Sequence, residues 1–339
     1  MSVNATSSEG FSRTANDVRI PTAILGTIIY IAGVFGNSFS FLLFSQKELR
    51  QVSTGLVFLL LNVMSTIHLL SLIVDFLDNI FQVQLLKSDI FRCQFISWVQ
   101  NVTRTVCSCL AVSVSIDRYL RSEYPMKSRL WCTPKNVVKV FIVYTTGSMI
   151  LYAFFYHPAN VFDVNGDCSF GDDETFRLLA FNVLPPIRFL VACLIPTLLM
   201  IASGAKMLWN IRKSRQRIAS QRQNQQGMNL PFVVPIPNAT SSNDESRRNQ
   251  MTLDQMMRIM VVTNVVAFIV TQNPFHIYTL YYGYQLNTDF STYSLTRAFL
   301  LMWGSIYFGI GFYLFCITSV QFRKQFFTKI TMIFNFCQL

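Results

Sequence analysis

Apolar residues in this chain gather into seven long runs, at about 20–45, 55–82, 92–120, 136–160, 178–210, 253–283 and 293–318. A helix needs roughly 20 mostly apolar residues to cross the hydrocarbon core of a bilayer, and each run reaches that length. The runs are continuous rather than alternating, which predicts helices and not the strands of a barrel. After the last run, residues 319–330 (SVQFRKQFFTKI) are too short and too charged to span. Phe322, Phe326, Phe327 and Ile330 recur there at helical spacing, which predicts an amphipathic helix lying on the membrane surface. The expected fold is an all-α membrane protein, a seven-transmembrane helix bundle at 20–318 with a short amphipathic eighth helix. A polar tail at 1–19, with no cleavable signal peptide, precedes the bundle, and 319–339 holds the surface helix and a short cytosolic tail.

Composition agrees with bilayer solvent. Of the 339 residues, 52% are hydrophobic and 13% charged, where a soluble domain carries about 25% charged. Eight Cys in this length are too few for a secreted disulfide scaffold. The net charge of +11 would suit a nucleic-acid binder if it were spread as a surface patch. It is not spread that way: with the N-terminus outside, about twenty of the 28 Lys and Arg fall on the cytosolic side of the spans. The basic balance is therefore a topology signal, and a nucleic-acid partner is not expected.

One long connection, 214–251, joins the fifth and sixth runs and is rich in Gln, Asn, Pro and Ser, as suits a disordered third cytosolic loop. Of the glycosylation triplets, Asn238 falls on the cytosolic side and Asn101 inside a span, so Asn4 in the outer tail is the usable acceptor. Cys337, beyond the surface helix, is either a palmitoylation site or an unmodified thiol.

The third run carries the most informative spacing. Cys93 opens it and Asp117-Arg118-Tyr119 closes it, with 25 residues between Cys93 and Arg118. That is about 37 Å of helix, the full membrane, which places Cys93 in an oxidising outer space and Arg118 at the cytosolic face. A second outer cysteine, Cys168, follows Val164-Asn165-Gly166-Asp167, a hairpin signal. The natural reading is a hairpin lid tied to the third span by a Cys93–Cys168 disulfide, with two free thiols as the alternative.

On these residues the chain resembles the rhodopsin-like (class A) G-protein-coupled receptors, and within them the invertebrate peptide-receptor type. The resemblance covers nearly all of the chain. Gly36-Asn37, Leu61-Asn62, Cys93, Asp117-Arg118-Tyr119, Pro125, Pro196, Phe268 with Pro274, and Phe322-Arg323 match the family's motifs. There are departures. The second-span acidic position reads Ile67, the sixth-span tryptophan Gln272, the fifth-span tyrosine Gly204, and the seventh-span Asn-Pro-x-x-Tyr begins at Gly311. Ile67, Cys107 and Gly311 offer no oxygen donors where the family places a sodium ion, so no metal site is expected.

The resemblance implies a plasma-membrane receptor that couples an extracellular ligand to a heterotrimeric G protein. It assigns Asp117, Arg118 and Tyr119 to coupling, with Met126 as an apolar contact for the G protein. It also gives Arg118 an acidic partner on the sixth span, here Asp254, as an inactive-state latch worth about 1 kcal/mol. Pro274 would give the sixth span its pivot. Gln100 stands where amine-binding relatives carry an acid, which disfavours an amine ligand.

Ionisable groups inside a membrane usually face a cavity. Gln100, Arg104, Arg188, Gln272, His276 and Arg297 are the candidate pocket, with snorkelling to the outer interface as the other reading of the three arginines. Guanidinium groups suit a carboxylate or other anion, while the acidic lid residues Asp163, Asp167, Asp172, Asp173 and Glu174 suit a basic segment. A short peptide bearing both charge signs fits best. No catalytic motif is present, and neither an enzyme nor a cofactor is expected. A seven-span transporter or channel, or a degenerate receptor with weak coupling, are the alternative readings.

Overall fold

The computed structural model describes residues 5–81, 83, 85, 88, 90–162, 168–169, 173–227, 262–281, 290–318, 322–323, 326–328 and 331. The helices in chain order are α1 (Ala5–Phe44), α2 (Lys47–Arg50), α3 (Ser53–Phe81), α4 (Ser97–Glu123), α5 (Pro125–Trp131) and α6 (Pro134–Leu151). They are followed by α7 (Glu174–Leu178), α8 (Leu184–Phe189), α9 (Ile195–Gly227), α10 (262–281) and α11 (Phe290–Thr318). The seven apolar runs map onto α1, α3, α4, α6, the α7–α9 rod, α10 and α11. Among the described residues, α1, α3, the α8–α9 rod and α11 contain segments long and apolar enough to cross a membrane by length and composition alone.

Their outer surface is apolar in the way lipid demands. Ile24, Ile28, Ile31 and Phe35 recur along one exposed face of α1, and Ile317 of α11 is 73% exposed. Such a surface would be sticky in water and is stable in hydrocarbon. Helix α4 takes the centre, buried along most of its length from Asn101 to Asp117 and flanked by α3, α6 and α9. Around it Leu69, Leu72, Val106, Leu110, Met200, Phe268 and Phe308 form one core.

Close helix approach rests on small residues. A Cβ at Gly309 would lie 2.7 Å from Gly33 Cα, so α11 and α1 meet backbone to backbone at this pair. Polar groups lock the same seam: Asn37 Nδ2 donates to Phe308 O at 3.0 Å, and Asn62 Nδ2 donates to Asn37 O at 2.8 Å. His68 is a packing residue, its Nδ1 2.9 Å from Thr103 Oγ1 and its ring 4.2 Å from that of Phe308.

Several boundaries differ from the hydrophobic pattern. The fourth span ends at Leu151 and gives way to a 3-10 turn, Ala153–Tyr156, instead of running to 160. His157 is extended because Pro158 follows it. The fifth span continues as helix to Gly227, so its C-terminal end takes up 214–227 of the connection expected to be disordered from 214. Arg, Lys, Gln and Ala dominate 211–226 and are strong helix formers, which explains the extension. Helix α1 likewise begins at Ala5, within the segment expected to be a polar tail. Helix is recorded at 322–323 and 326–328, where Phe322 and Phe326 pack against Phe312; the remainder of the expected surface helix lies outside the described residues.

The connection after the fourth span forms a small antiparallel ribbon, β1 (Val161–Phe162) paired with β2 (Cys168–Ser169), with Phe162 opposite Cys168. The Asn165-Gly166 turn lies outside the described residues. Cys93 and Cys168 are bridged, with Cα atoms 5.4 Å apart, so the lid is fastened to the π-helical turn Ile90–Ile96 that leads into α4.

Candidate functional site

At the end of α4 remote from the disulfide, Asp117 is a junction. Its carboxylate accepts hydrogen bonds from Ser53 Oγ at 2.9 Å and Thr54 Oγ1 at 2.6 Å, the first two residues of α3. It also forms an ion pair with Arg121 Nε at 2.9 Å, one helical turn on. Arg121 Nη2 in turn donates to Ser53 Oγ at 2.7 Å, closing a ring of charge-assisted bonds between α3 and α4. Cys132, at the end of α5, sits beside this cluster, and burial together with the Asp117 carboxylate pushes its thiol up to about 11.

Arg118 is half-buried next to this junction. The Tyr119 ring meets that of Tyr124 edge-on at 6.5 Å, and Lys206 Nζ lies 5.9 Å from it. Met126 is 76% exposed, and Leu130 and Trp131 expose their apolar side chains from the same short helix. That makes an apolar knob at the same end of the bundle, where the sequence reading singled out Met126 alone. Asp254, the expected partner of Arg118, lies outside the described residues, as do Asn4 and Cys337.

In the half of the bundle nearer the disulfide, two carboxylates of α3 clamp one buried arginine. Arg92 pairs with Asp75 through Nη1 and with Asp78 through Nε at 2.9 Å. Gln100 Nε2 joins the cluster, donating to Asp75 Oδ2 at 2.6 Å and to Ser71 O at 3.1 Å. One turn deeper, Arg104 is 5% exposed and holds its guanidinium carbon 4.5 Å from the Phe275 ring centroid. His276 is 1% exposed, with its ring 5.4 Å from that of Phe275. Arg188 Nη1 donates to Asn101 Oδ1 at 3.1 Å, and Gln272 Nε2 donates to Gly304 O at 2.7 Å, tying α10 to α11.

Gln100, Arg104, Gln272 and His276 are thus gathered inside the bundle, with Arg188 half-buried beside them. Arg297 stands apart, exposed near the start of the apolar stretch of α11, as a snorkelling side chain would be. Of the lid acids, Asp163, Asp167 and Asp172 lie outside the described residues. Asp173 caps α7 by accepting from Phe176 N at 3.1 Å. Asn160, which the sequence reading passed over, donates to Cys93 O at 2.9 Å and braces the lid from below.

The sequence matches the family model for the 7 transmembrane receptor (rhodopsin family) over residues 39–307. The chain belongs to that family. The receptor is 24% identical to galanin receptor 2b of Danio rerio over 319 residues, which cover 92% of this chain and 75% of that one. It is 28% identical over 138 residues to the FMRFamide peptide receptor frpr-18 of Caenorhabditis elegans, covering 38% of this chain and 30% of the relative. G-protein coupled receptor 54 of Oreochromis niloticus shares 24% over 283 residues, covering 79% and 67%.

The receptor is a multi-pass membrane protein, not an enzyme. One family position needs correcting. Ile67, aligned with the second-span acid, is 40% exposed on the outer surface of α3, and the residue facing Cys107 is Ser65, its Oγ 3.7 Å from Cys107 Sγ. Two residues along a helix amount to a turn of about 200°, so the spacing of Leu61-Asn62 misassigned the inward face by that rotation.

Proposed function

We propose that this receptor binds a short extracellular peptide between the lid and the outer half of the bundle and activates a heterotrimeric G protein at the cytosolic end. The N-terminus lies outside and the receptor acts at the plasma membrane. The observation that carries this reading is the layout of α4 and the turn before it. One rod bears the lid disulfide at Cys93, Gln100 and Arg104 in the outer half, and Asp117-Arg118-Tyr119 at the inner end. Relatives named for galanin and FMRFamide peptides favour a peptide over a small amine. The opposed charges of the Asp75–Asp78 cluster and the Arg104–Arg188 cluster suit a ligand carrying both signs.

Ligand binding shifts the population between two packings of the bundle. In the resting one, Arg118 is latched to Asp254 of the sixth span, and Pro274 supplies the pivot that opens it. Met126, with Leu130 and Trp131, offers the G protein its apolar contact, and anionic headgroups attract the basic cytosolic face. Asn4 carries the glycan and Cys337 the palmitoyl chain. Residues 1–19 form the outer segment, 20–318 the receptor domain and 319–339 the surface helix and tail.

The test is expression of the full chain in cells carrying reporter G proteins, challenged with a peptide library. Activation by at least one peptide, with no response in mock-transfected cells, supports the reading. Ligand-independent ion current, or responses confined to small amines, would overturn it.

A further inference from the structure

Among the described residues, no acidic side chain pairs with the buried Arg104 or His276. Arg104 carries a charge it does not readily lose, yet it is 5% exposed and its Nε has no hydrogen-bond partner among the described residues. Its recorded contact is the face of Phe275. Neither ring nitrogen of His276 has a hydrogen-bond partner there, and His68 Nε2 has none. Two further cations, Arg188 and Arg297, act on Arg104, and its other electrostatic neighbours are the phenols of Tyr152 and Tyr30. The carboxylates of Asp75 and Asp78 are engaged by Arg92 and Gln100, and no ion pair to Arg104 exists among the described residues.

A buried charge without a counter-charge is strongly destabilising, and buried donors without acceptors add to the cost. Mutually repelling cations in low dielectric raise it further. A small hydrogen-bond acceptor bearing negative charge would satisfy the guanidinium and the ring together.

We infer that Arg104 and His276, which both lie against the Phe275 ring, hold a compact anionic group, a carboxylate by preference. Guanidinium offers two parallel donors that match the two oxygens of a carboxylate, and a neutral imidazole adds a third. The inference deepens the proposed reading of the outer half as the ligand pocket: it assigns the acidic end of the ligand to the depth of Arg104. Two sources share this chemistry, a carboxylate carried by the ligand and a free inorganic anion.

The experiment uses the purified full-length receptor in phosphatidylcholine nanodiscs and reads thermal unfolding. Sodium acetate or sodium chloride is titrated against sodium isethionate at constant ionic strength. Wild type should show a saturable rise in Tm of about 3 °C at tenfold over half-saturation. A larger response to acetate assigns the site to a ligand carboxylate, and an equal chloride response assigns it to a resident inorganic anion. Arg104→Met should match or exceed wild-type Tm in isethionate, because it removes the uncompensated charge, and should lose the anion response. Should that variant not fold, His276→Phe must show at least a tenfold weaker half-saturation. No response of wild type to either anion, or an undiminished response in the folded variant, overturns the inference. Because the readout needs no G protein, failure of coupling and failure of the anion site give separate results.

Discussion

Asp117 and Arg121 face each other across one turn of α4 at 2.9 Å, and Ser53 bridges the pair to the start of α3. The acidic member of the Asp-Arg-Tyr motif is therefore held by four donor contacts that involve the beginning of the second span as well as its own helix. Arg121 is about one-third exposed, so its ion pair contributes little by itself, about 0.5 kcal/mol. The hydroxyls of Ser53 and Thr54 are buried and matter more, because losing them strands a buried carboxylate.

Two variants separate those contributions. Arg121→Ala should lower Tm slightly and raise basal signalling, whereas the double change Ser53→Ala and Thr54→Val should cost about 2 kcal/mol. Thermal unfolding of detergent-solubilised receptor checks the order, and a larger loss for Arg121→Ala would contradict it.

The outer clamp makes a stronger claim. Asp75→Asn leaves Arg92 one carboxylate, and the loss should be modest. The pair Asp75→Asn and Asp78→Asn leaves a buried guanidinium without either, at a cost of about 3 kcal/mol. Surface expression at two temperatures would show this as near-normal yield for the single variant and strongly temperature-dependent yield for the double.

The glycine seam gives a contrast within one helix. Gly309→Val should abolish folded receptor, since its side chain would collide with the Gly33 backbone, while Gly311→Ala meets nothing within 4 Å and should be tolerated. Ligand-independent surface yield by flow cytometry reports both, and equal yields would refute the close α1–α11 approach.

The disulfide closes a 75-residue separation, which in the chain-entropy view stabilises by up to about 4 kcal/mol. Cys93→Ser and Cys168→Ser should be equally deleterious, and the double variant no worse than either single one. Additive losses would mean that the two sulfurs act separately.

How much of this was legible beforehand follows the range of each interaction. The spans and the lid ribbon came through because hydrophobic period and short-range strand pairing are local. The inward face of α3 did not, since a continuous apolar run carries little rotational information and Ser65, not Ile67, turned out to face Cys107. Arg92 went unnoticed as the partner of Asp75 and Asp78 because only the packed bundle brings α3 and the turn before α4 together. The spacing of Asp75 and Asp78, three residues apart on one helix face, was the available hint of a shared cation. Arg104 was recognised as unusual, but its Phe275 contact belongs to tertiary packing between α4 and α10. The helical start of the 214–251 connection was obscured by polarity: Gln, Arg and Lys suit both a solvated helix and a disordered loop.

The central claim is that Arg118 works on a G protein. Its most direct test is guanine-nucleotide exchange on purified heterotrimers by receptor in nanodiscs, wild type against Arg118→Ala at equal folded amounts. Wild type should accelerate exchange above empty nanodiscs and Arg118→Ala should fall to that background; equal exchange by the two proteins would contradict the account.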